Sequence, residues 1–207
     1  MQVKRSVIAA VIVFISGVVV QAQTDTVGSY AIATFQRHLN AEYKDPKTSP
    51  LDKKSLAGFT GHTFFPVDLS YRVEVTLEVT DKEPYFKMMT SNNRPRNFRQ
   101  YGIVTFTLQG QRLSLPIYQS EQLSGMDEYA DYLFFPFTDL TNGHTSYSAG
   151  RYIDLRIPQT GNVLVIDFNQ AYNPLCAYSN NYSCPIVPEK NHIPLEVKAG
   201  VAFAGKH

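Results

Sequence analysis

The sequence predicts a mainly β protein, either an antiparallel β-sandwich or a partly open barrel, with one N-terminal amphipathic helix. About eight short strand-like segments follow residue 70, separated by polar and glycine-containing links. The one long helical pattern precedes them. No helical pattern alternates with the strands, which disfavours a doubly wound α/β sheet.

The predicted helix covers residues 25–43. Its apolar positions recur every three or four residues, while polar side chains fill the other positions. The apolar positions are Ile32, Phe35, Leu39 and Tyr43. The pair Asp45-Pro46 ends the helix, because the residue before a proline is pushed out of the helical conformation.

Several segments predict strands by their alternation or their apolar content. Residues 71–79 alternate apolar with polar side chains, as in a strand with one buried face. Residues 103–108 and 113–118 flank Gln109-Gly110-Gln111 and predict a β-hairpin. Gly161-Asn162 predicts a tight turn that would pair residues 152–157 with 163–168. Further strands are predicted at residues 85–90, 133–137 and 193–197.

The N-terminus reads as a secretory signal peptide. Lys4 and Arg5 precede an apolar stretch at residues 7–20, and small residues follow, which predicts cleavage after Ala22. The alternative is an uncleaved membrane anchor, but the apolar core is shorter than the roughly 20 residues of a span. We therefore expect an exported, periplasmic or extracellular protein with no stable membrane span after cleavage.

The mature chain, residues 23–207, is predicted to be a single domain. Cleavage removes two basic residues and no acidic ones, so 17 basic residues face 18 acidic ones and the formal charge is −1. Neither nucleic-acid binding nor a polybasic membrane patch is expected at this charge.

Cys176 and Cys184 are the only cysteines, eight positions apart. In an oxidising compartment such a pair predicts a disulfide. Zinc is the weaker alternative, because the loop offers two thiols and no histidine. The sequence predicts no metal and no cofactor.

A polar and aromatic series between residues 139 and 173 is the candidate ligand site. If residues 152–157 and 163–168 form a hairpin, Arg151 lies beside Asp167 and Asn169, and such a group can bind a small polar or anionic ligand. The alternative is that Arg151 pairs with Asp167 to hold the loop and binds nothing. The candidate ligand-binding residues are Tyr101, Tyr147, Arg151, Asp167, Asn169, Tyr172 and Asn173.

Catalysis is the alternative use of this region. The chain has no phosphate loop, dinucleotide fingerprint, nucleophile elbow or zinc-protease motif. A hydrolase would have to use Asp139, His144 or Asp167 as its acid or base. His144 follows Asn142-Gly143, which is typical of a turn.

Four segments resemble an uncharacterised bacterial family, domain of unknown function sixteen eighty-four. They are Gly-His-Thr-Phe-Phe-Pro-Val-Asp-Leu-Ser-Tyr at 61–71, Phe-Phe-Pro-Phe-Thr-Asp at 134–139, residues 147–152, and Asp-Phe-Asn-Gln-Ala-Tyr-Asn-Pro-Leu-Cys-Ala-Tyr at 167–178 with Cys184-Pro185. The resemblance implies one family domain of about this length in a bacterial protein. It implies no activity.

The sequence favours an exported, non-catalytic small-ligand-binding or accessory protein. Its site is expected between residues 94–101 and residues 169–191, a long stretch without a predicted strand. A hydrolase-type enzyme and a structural or protein-interaction β-domain are the alternatives.

Overall fold

The computed structural model describes residues 15–80 and 82–203, with side chains described from Thr26 onward. The predicted signal peptide lies mostly outside the described residues. Three α-helices are present in the described part: α1 (Ile15–Lys44), α2 (Lys53–Gly58) and α3 (Glu121–Ser124). None of them is both long and apolar enough to cross a membrane.

The predicted N-terminal helix is confirmed as α1. It begins earlier than residue 25, so its backbone runs through the cleavage position predicted after Ala22. Its apolar stripe faces the protein, because Ile32 and Tyr43 are buried. Lys44 is the last helical residue, next to the predicted stop at Asp45-Pro46.

The strands form one mainly antiparallel sheet that curls into a nearly closed barrel. The hydrogen-bonded order is β6-β5-β4-β3-β1-β7, with β2 added to β3 and β8 parallel to β5. The strands are β1 (Arg72–Val79), β2 (Phe86–Met88), β3 (Arg96–Leu108), β4 (Gln111–Ser120), β5 (Tyr132–Asp139), β6 (Arg151–Arg156), β7 (Val163–Asp167) and β8 (His192–Ile193).

The predicted β3–β4 hairpin is confirmed. Leu108 pairs with Gln111, and the two residues between them have positive φ, 48° at Gln109 and 81° at Gly110. A two-residue turn of that handedness fits the right-handed twist of the strands.

The predicted hairpin between residues 152–157 and 163–168 is wrong. β6 pairs with β5, placing Arg151 opposite Phe137, and β7 pairs with β1, placing Asp167 opposite Arg72. Gly161 does lie in a bend, with φ of 67°. That bend carries the chain from one end of the strand order to the other instead of returning it alongside β6.

β5 is covered on both faces, which explains its continuous apolar sequence. Phe135 and Phe137 point into the main core within the barrel. Phe134 points the other way, into a second aromatic cluster on the outer face of the sheet. The buried members of that outer cluster are Met88, Phe98, Tyr118, Phe134 and Tyr152.

Candidate ligand cavity

Arg151 is fully buried and is paired with Asp139, not with Asp167. Its Nη2 donates to Asp139 Oδ2 at 2.7 Å and to the Val197 carbonyl at 2.7 Å, while Nη1 donates to the Ala199 carbonyl. Burial lowers the pKa of the Arg151 guanidinium, and the Asp139 carboxylate opposes that shift. The expected Arg151–Asp167 pair is therefore corrected: because β6 lies beside β5, Arg151 meets the carboxylate at the end of β5.

Asp167 and Asn169 form a separate group at the end of β7. Asp167 lies 3.6 Å from Arg72 Nε and accepts from Asn169 Nδ2 at 2.9 Å. The same Nδ2 donates to the Asp68 carbonyl at 2.9 Å, and the Asp68 backbone N–H donates to Asn169 Oδ1 at 3.0 Å. This group joins the chain after β7 to the segment before β1.

The other predicted site residues are dispersed. His144 is exposed in the turn after β5. Tyr147 packs edge-on against Phe203 with ring centroids 5.6 Å apart, and Asn173 Nδ2 donates to Tyr178 Oη at 2.9 Å. Tyr101 packs on the main core. In the part of the chain with described side chains, no hydrogen bond or ion pair joins Asp139, His144 and Asp167 to one another.

A cavity of about 560 Å³ lies elsewhere, between α1, the outer face of the sheet and the chain that follows β7. The helix contributes two polar residues, His38 and Glu42, together with part of its apolar stripe. The lining residues from α1 are Phe35, His38, Leu39, Glu42 and Tyr43. Phe35 and Leu39 belong to the predicted apolar stripe. They face the cavity and do not pack into a closed core.

The sheet supplies the floor of the cavity and the 172–185 segment supplies a wall. The floor residues are Arg96, Phe98, Ser120, Tyr132, Phe134, Tyr152 and Asp154. The wall residues are Tyr172, Pro174, Leu175, Tyr182, Ser183, Cys184 and Pro185. Of the nine residues predicted as catalytic or ligand-binding, Tyr172 alone lines this cavity.

Asp154 is the polar centre of the floor. Its Oδ1 accepts hydrogen bonds from Tyr132 Oη at 2.7 Å and from Tyr172 Oη at 2.6 Å. Burial, followed by the negative charge of Asp154, raises the pKa of both phenols well above their ordinary value. Both tyrosines therefore stay protonated at neutral pH and hold the carboxylate in one orientation.

Cys176 and Cys184 are adjacent but not bonded in this structure. The Cys176 backbone N–H donates to Cys184 Sγ at 3.1 Å. The neighbouring Cys184 thiol, with help from Ser91 and Tyr147, lowers the pKa of Cys176 to about 6. The pKa of Cys184 is raised by the same contact. The cross-link stays a prediction.

A family model described as a protein of unknown function (DUF1684) matches residues 57–202. The chain belongs to the DUF1684 family. This match begins after α1 and includes the floor and wall of the cavity. No protein with a curated description matches the chain.

A solved structure has the same fold as this DUF1684 protein. It is the solution NMR structure of the uncharacterized protein from gene locus rrnAC0354 of Haloarcula marismortui, which is 30% identical. The match covers 90% of this chain and 99% of that one, with a TM-score of 0.69. The resemblance drawn from the sequence is therefore confirmed at the level of family and fold.

Sequence reasoning missed Asp154 and the floor around it. Tyr152, Asp154 and Arg156 alternate along β6 with buried Ile153 and Leu155, so this face resembles the solvent face of an ordinary strand. The available signal was its aromatic content, because tyrosine on an outer strand face marks a surface that something covers. The occupants of that face, α1 and the 172–185 segment, come from distant parts of the chain.

Proposed function

We propose that this protein is exported and that it binds a small ligand, without catalysing a reaction, in the cavity beneath α1. The observation that carries the proposal is the cavity itself. Its volume of about 560 Å³ lies within the usual range for small-molecule sites, and its lining is mainly aromatic and aliphatic with a few polar groups. Such a composition binds the body of a ligand by apolar contact and orients it by a few hydrogen bonds.

The hydrolase alternative has no comparable support. Both oxygens of Asp139 are used inside the protein, by Thr141 on one side and Arg151 on the other. Asp167 is held by Asn169 and Arg72, and His144 stands on the surface. A general acid or base needs hydrogen-bond reach to a substrate, and none of these three lines the cavity.

Export and a disulfide between Cys176 and Cys184 belong to the same proposal. The charged and apolar N-terminal segment supports export, and the adjacency of the two sulfurs supports the cross-link. Closing this loop should stabilise the protein by about 2.5 kcal/mol. Mass spectrometry of the exported protein tests both statements. We expect a chain that begins at Gln23 and lacks the two thiol hydrogens, and a full-length chain with free thiols would contradict the proposal.

A thermal-shift screen with matched variants tests ligand binding. A ligand that binds only the folded state raises the melting temperature by mass action. Leu123 of α3 also lines the cavity, so Leu123→Trp places a large ring in it, whereas Leu140→Trp makes the same change at an exposed position outside it. We expect hits from a library of amines, sugars, organic acids and lipids to shift the wild type and Leu140→Trp but not Leu123→Trp. Equal shifts in both variants would place binding elsewhere, and the absence of hits would favour a structural or interaction domain.

A further inference from the structure

The Asp154 carboxylate has unused capacity to bind a cation. Both tyrosine hydroxyls bind Oδ1, and Oδ2 accepts no hydrogen bond from the described residues. No described Lys or Arg nitrogen lies within 4.0 Å of this carboxylate. Asp154 is solvent-accessible at the cavity, so a ligand can reach the free oxygen.

Aromatic rings surround this carboxylate. Phe134 lies directly opposite Asp154 in the β5–β6 register. Tyr152 packs edge-on against Phe134 at 4.7 Å and against Tyr172 at 6.0 Å, so the rings form a connected group next to the carboxylate. The faces of aromatic rings attract cations, and a ring group that also holds a carboxylate attracts them more strongly.

The cavity lining carries two carboxylates and one guanidinium, so it holds more negative than positive charge. Arg156, two residues along β6, lies over the Tyr132 ring at 5.9 Å, but its guanidinium is bound to Asp131 at 2.6 Å and to the Glu128 carbonyl at 2.9 Å. Arg96 lines the cavity from the start of β3, three strands away from β6 in the sheet. Glu42 adds a second carboxylate from α1. A positive group would therefore be drawn to the Asp154 end.

We infer that the ligand is an organic cation, a protonated or quaternary amine on an apolar body. This inference rests on the proposed ligand-binding function and adds the chemical class of the ligand. The amine lies against Asp154 Oδ2 and the neighbouring tyrosine rings, and the apolar body lies between Phe98 and Phe134 of the floor and Phe35 and Leu39 of α1. Tyr132 and Tyr172 are positioning residues, because they fix the carboxylate.

Three probes with the same body and different charges test the inference on the wild-type protein. They are phenethylammonium, 2-phenylethanol and phenylacetate, titrated by calorimetry at neutral pH. We expect phenethylammonium to bind at least about fivefold more tightly than the neutral and anionic probes, because only it brings a positive charge to the free oxygen of Asp154, whereas the alcohol can donate only a neutral hydrogen bond and the carboxylate is repelled. Leu123→Trp should weaken the binding of phenethylammonium, which locates the probe in the cavity.

A pair of charge-removing variants assigns the effect to one carboxylate. Asp154→Asn keeps the shape and an acceptor oxygen for the two tyrosines but removes the charge. Glu196→Gln removes one carboxylate from an exposed ion pair with Lys198, outside the cavity. We expect Asp154→Asn to weaken phenethylammonium binding at least about fivefold and Glu196→Gln to leave it unchanged.

The outcomes separate the two levels of the proposal. Tighter or equal binding of 2-phenylethanol or phenylacetate overturns the cation inference while the ligand-binding function stands. So does an Asp154→Asn protein that binds phenethylammonium like the wild type. If Asp154→Asn does not fold, the order of the three probes on the wild type decides alone. If none of the three probes binds, the cation inference fails, and a thermal-shift screen without hits then removes the ligand-binding function as well.

Discussion

Arg151 binds residues 197–199 to the barrel. The fully buried guanidinium contacts Asp139 at the end of β5 and the carbonyls of Val197 and Ala199 in the C-terminal segment. A buried cation is costly unless a counter-charge and hydrogen-bond acceptors match it. Here Asp139 supplies the counter-charge, and most of the guanidinium donors have acceptors. The group is therefore part of the scaffold rather than a contact for a ligand.

The first prediction concerns this ion pair. Arg151→Ala leaves Asp139 as a buried charge without a counter-charge, so we expect the free energy of unfolding to fall by about 3–5 kcal/mol in urea titrations. Arg156→Ala is the control, because it breaks an ion pair whose side chains are 51% and 47% exposed and should cost less than about 1 kcal/mol. Equal losses in the two variants would refute a scaffold role for Arg151.

His62 gives the protein a pH-dependent stability. Its ring packs at 4.4 Å from Tyr43, its Nε2 has no hydrogen-bond partner, and burial lowers its pKa to about 4. In the unfolded chain the histidine takes up its proton near pH 6.5, whereas in the folded chain it does so only near pH 4. Stability is thus fully present above pH 6.5 and is lost as the pH falls towards 4.

The second prediction follows from that sign. From pH 7 to pH 4 the wild type should lose about 1–2 kcal/mol of unfolding free energy through His62, because the unfolded chain takes up a proton there that the folded chain does not. In His62→Gln the unfolding free energy should fall less steeply as the pH falls. The exposed His144→Gln change should keep the wild-type slope. Urea titrations across this pH range measure it, and parallel slopes for all three proteins would show that His62 contributes nothing.

At the scale of elements, the approach of β1 to β3 depends on Gly102. The register of β3 against β4 shifts between Gln100 and Gly102, and Gly102 pairs with Val79 of β1. A Cβ at this position would lie 2.6 Å from the Glu78 carbonyl oxygen and 2.6 Å from Leu77 Cδ1. The backbone of β1 would have to move to admit it.

The third prediction tests this contact. Gly102→Ala should lower the free energy of unfolding by about 1–3 kcal/mol, because it overpacks a site bounded by backbone. Gly58→Ala is the matched control at the end of α2, where an added Cβ meets nothing within 4 Å and should be neutral or slightly stabilising. Thermal unfolding of both variants checks the difference. If Gly102→Ala leaves the free energy of unfolding unchanged, the backbones of β1 and β3 can move apart at this position without cost, and the close contact is not required.

The same elements show which parts of the fold a sequence reveals. The β3–β4 hairpin was predictable because its turn, Gln109-Gly110, is local and has a characteristic chemistry. The partners of β6 and β7 were not, because the Gly161 bend is equally compatible with a hairpin and with the crossing that closes the barrel. The prediction of the site was less accurate than that of the fold, because its position near Arg151 was inferred from that hairpin.

The cavity could not be assembled from the sequence for a related reason. Its lining comes from residues 35–43, 96–98, 120–154 and 172–185, which only the tertiary fold brings together. The apolar stripe of α1 was visible, but an apolar stripe predicts a contact surface and not a space between two surfaces. Asp154 on a strand face gave no sign that two tyrosines would hold it.

At the scale of the whole molecule, α1 serves both as a cover and as a wall. Ile32 and Tyr43 are buried, and the Tyr43 ring packs against His62 and Tyr178, which belong to two other parts of the chain. Between these two anchors, Phe35 and Leu39 line the cavity. The helix is therefore held at both ends of the cavity and spans it in the middle.

The last prediction compares two shortened chains. A protein that begins at Gln23 keeps all the α1 residues that line the cavity. We therefore expect it to have the same melting temperature and the same ligand responses as the full chain. A protein that begins at Asp45 loses the burial of Ile32 and Tyr43, each worth about 1.5–3 kcal/mol, and exposes the rings of Phe98 and Phe134. It should melt at a lower temperature, aggregate more readily and lose the response to every cavity ligand. If the chain from Asp45 melts like the chain from Gln23, α1 is not an integral part of the domain, and the cavity would be an open surface of the sheet.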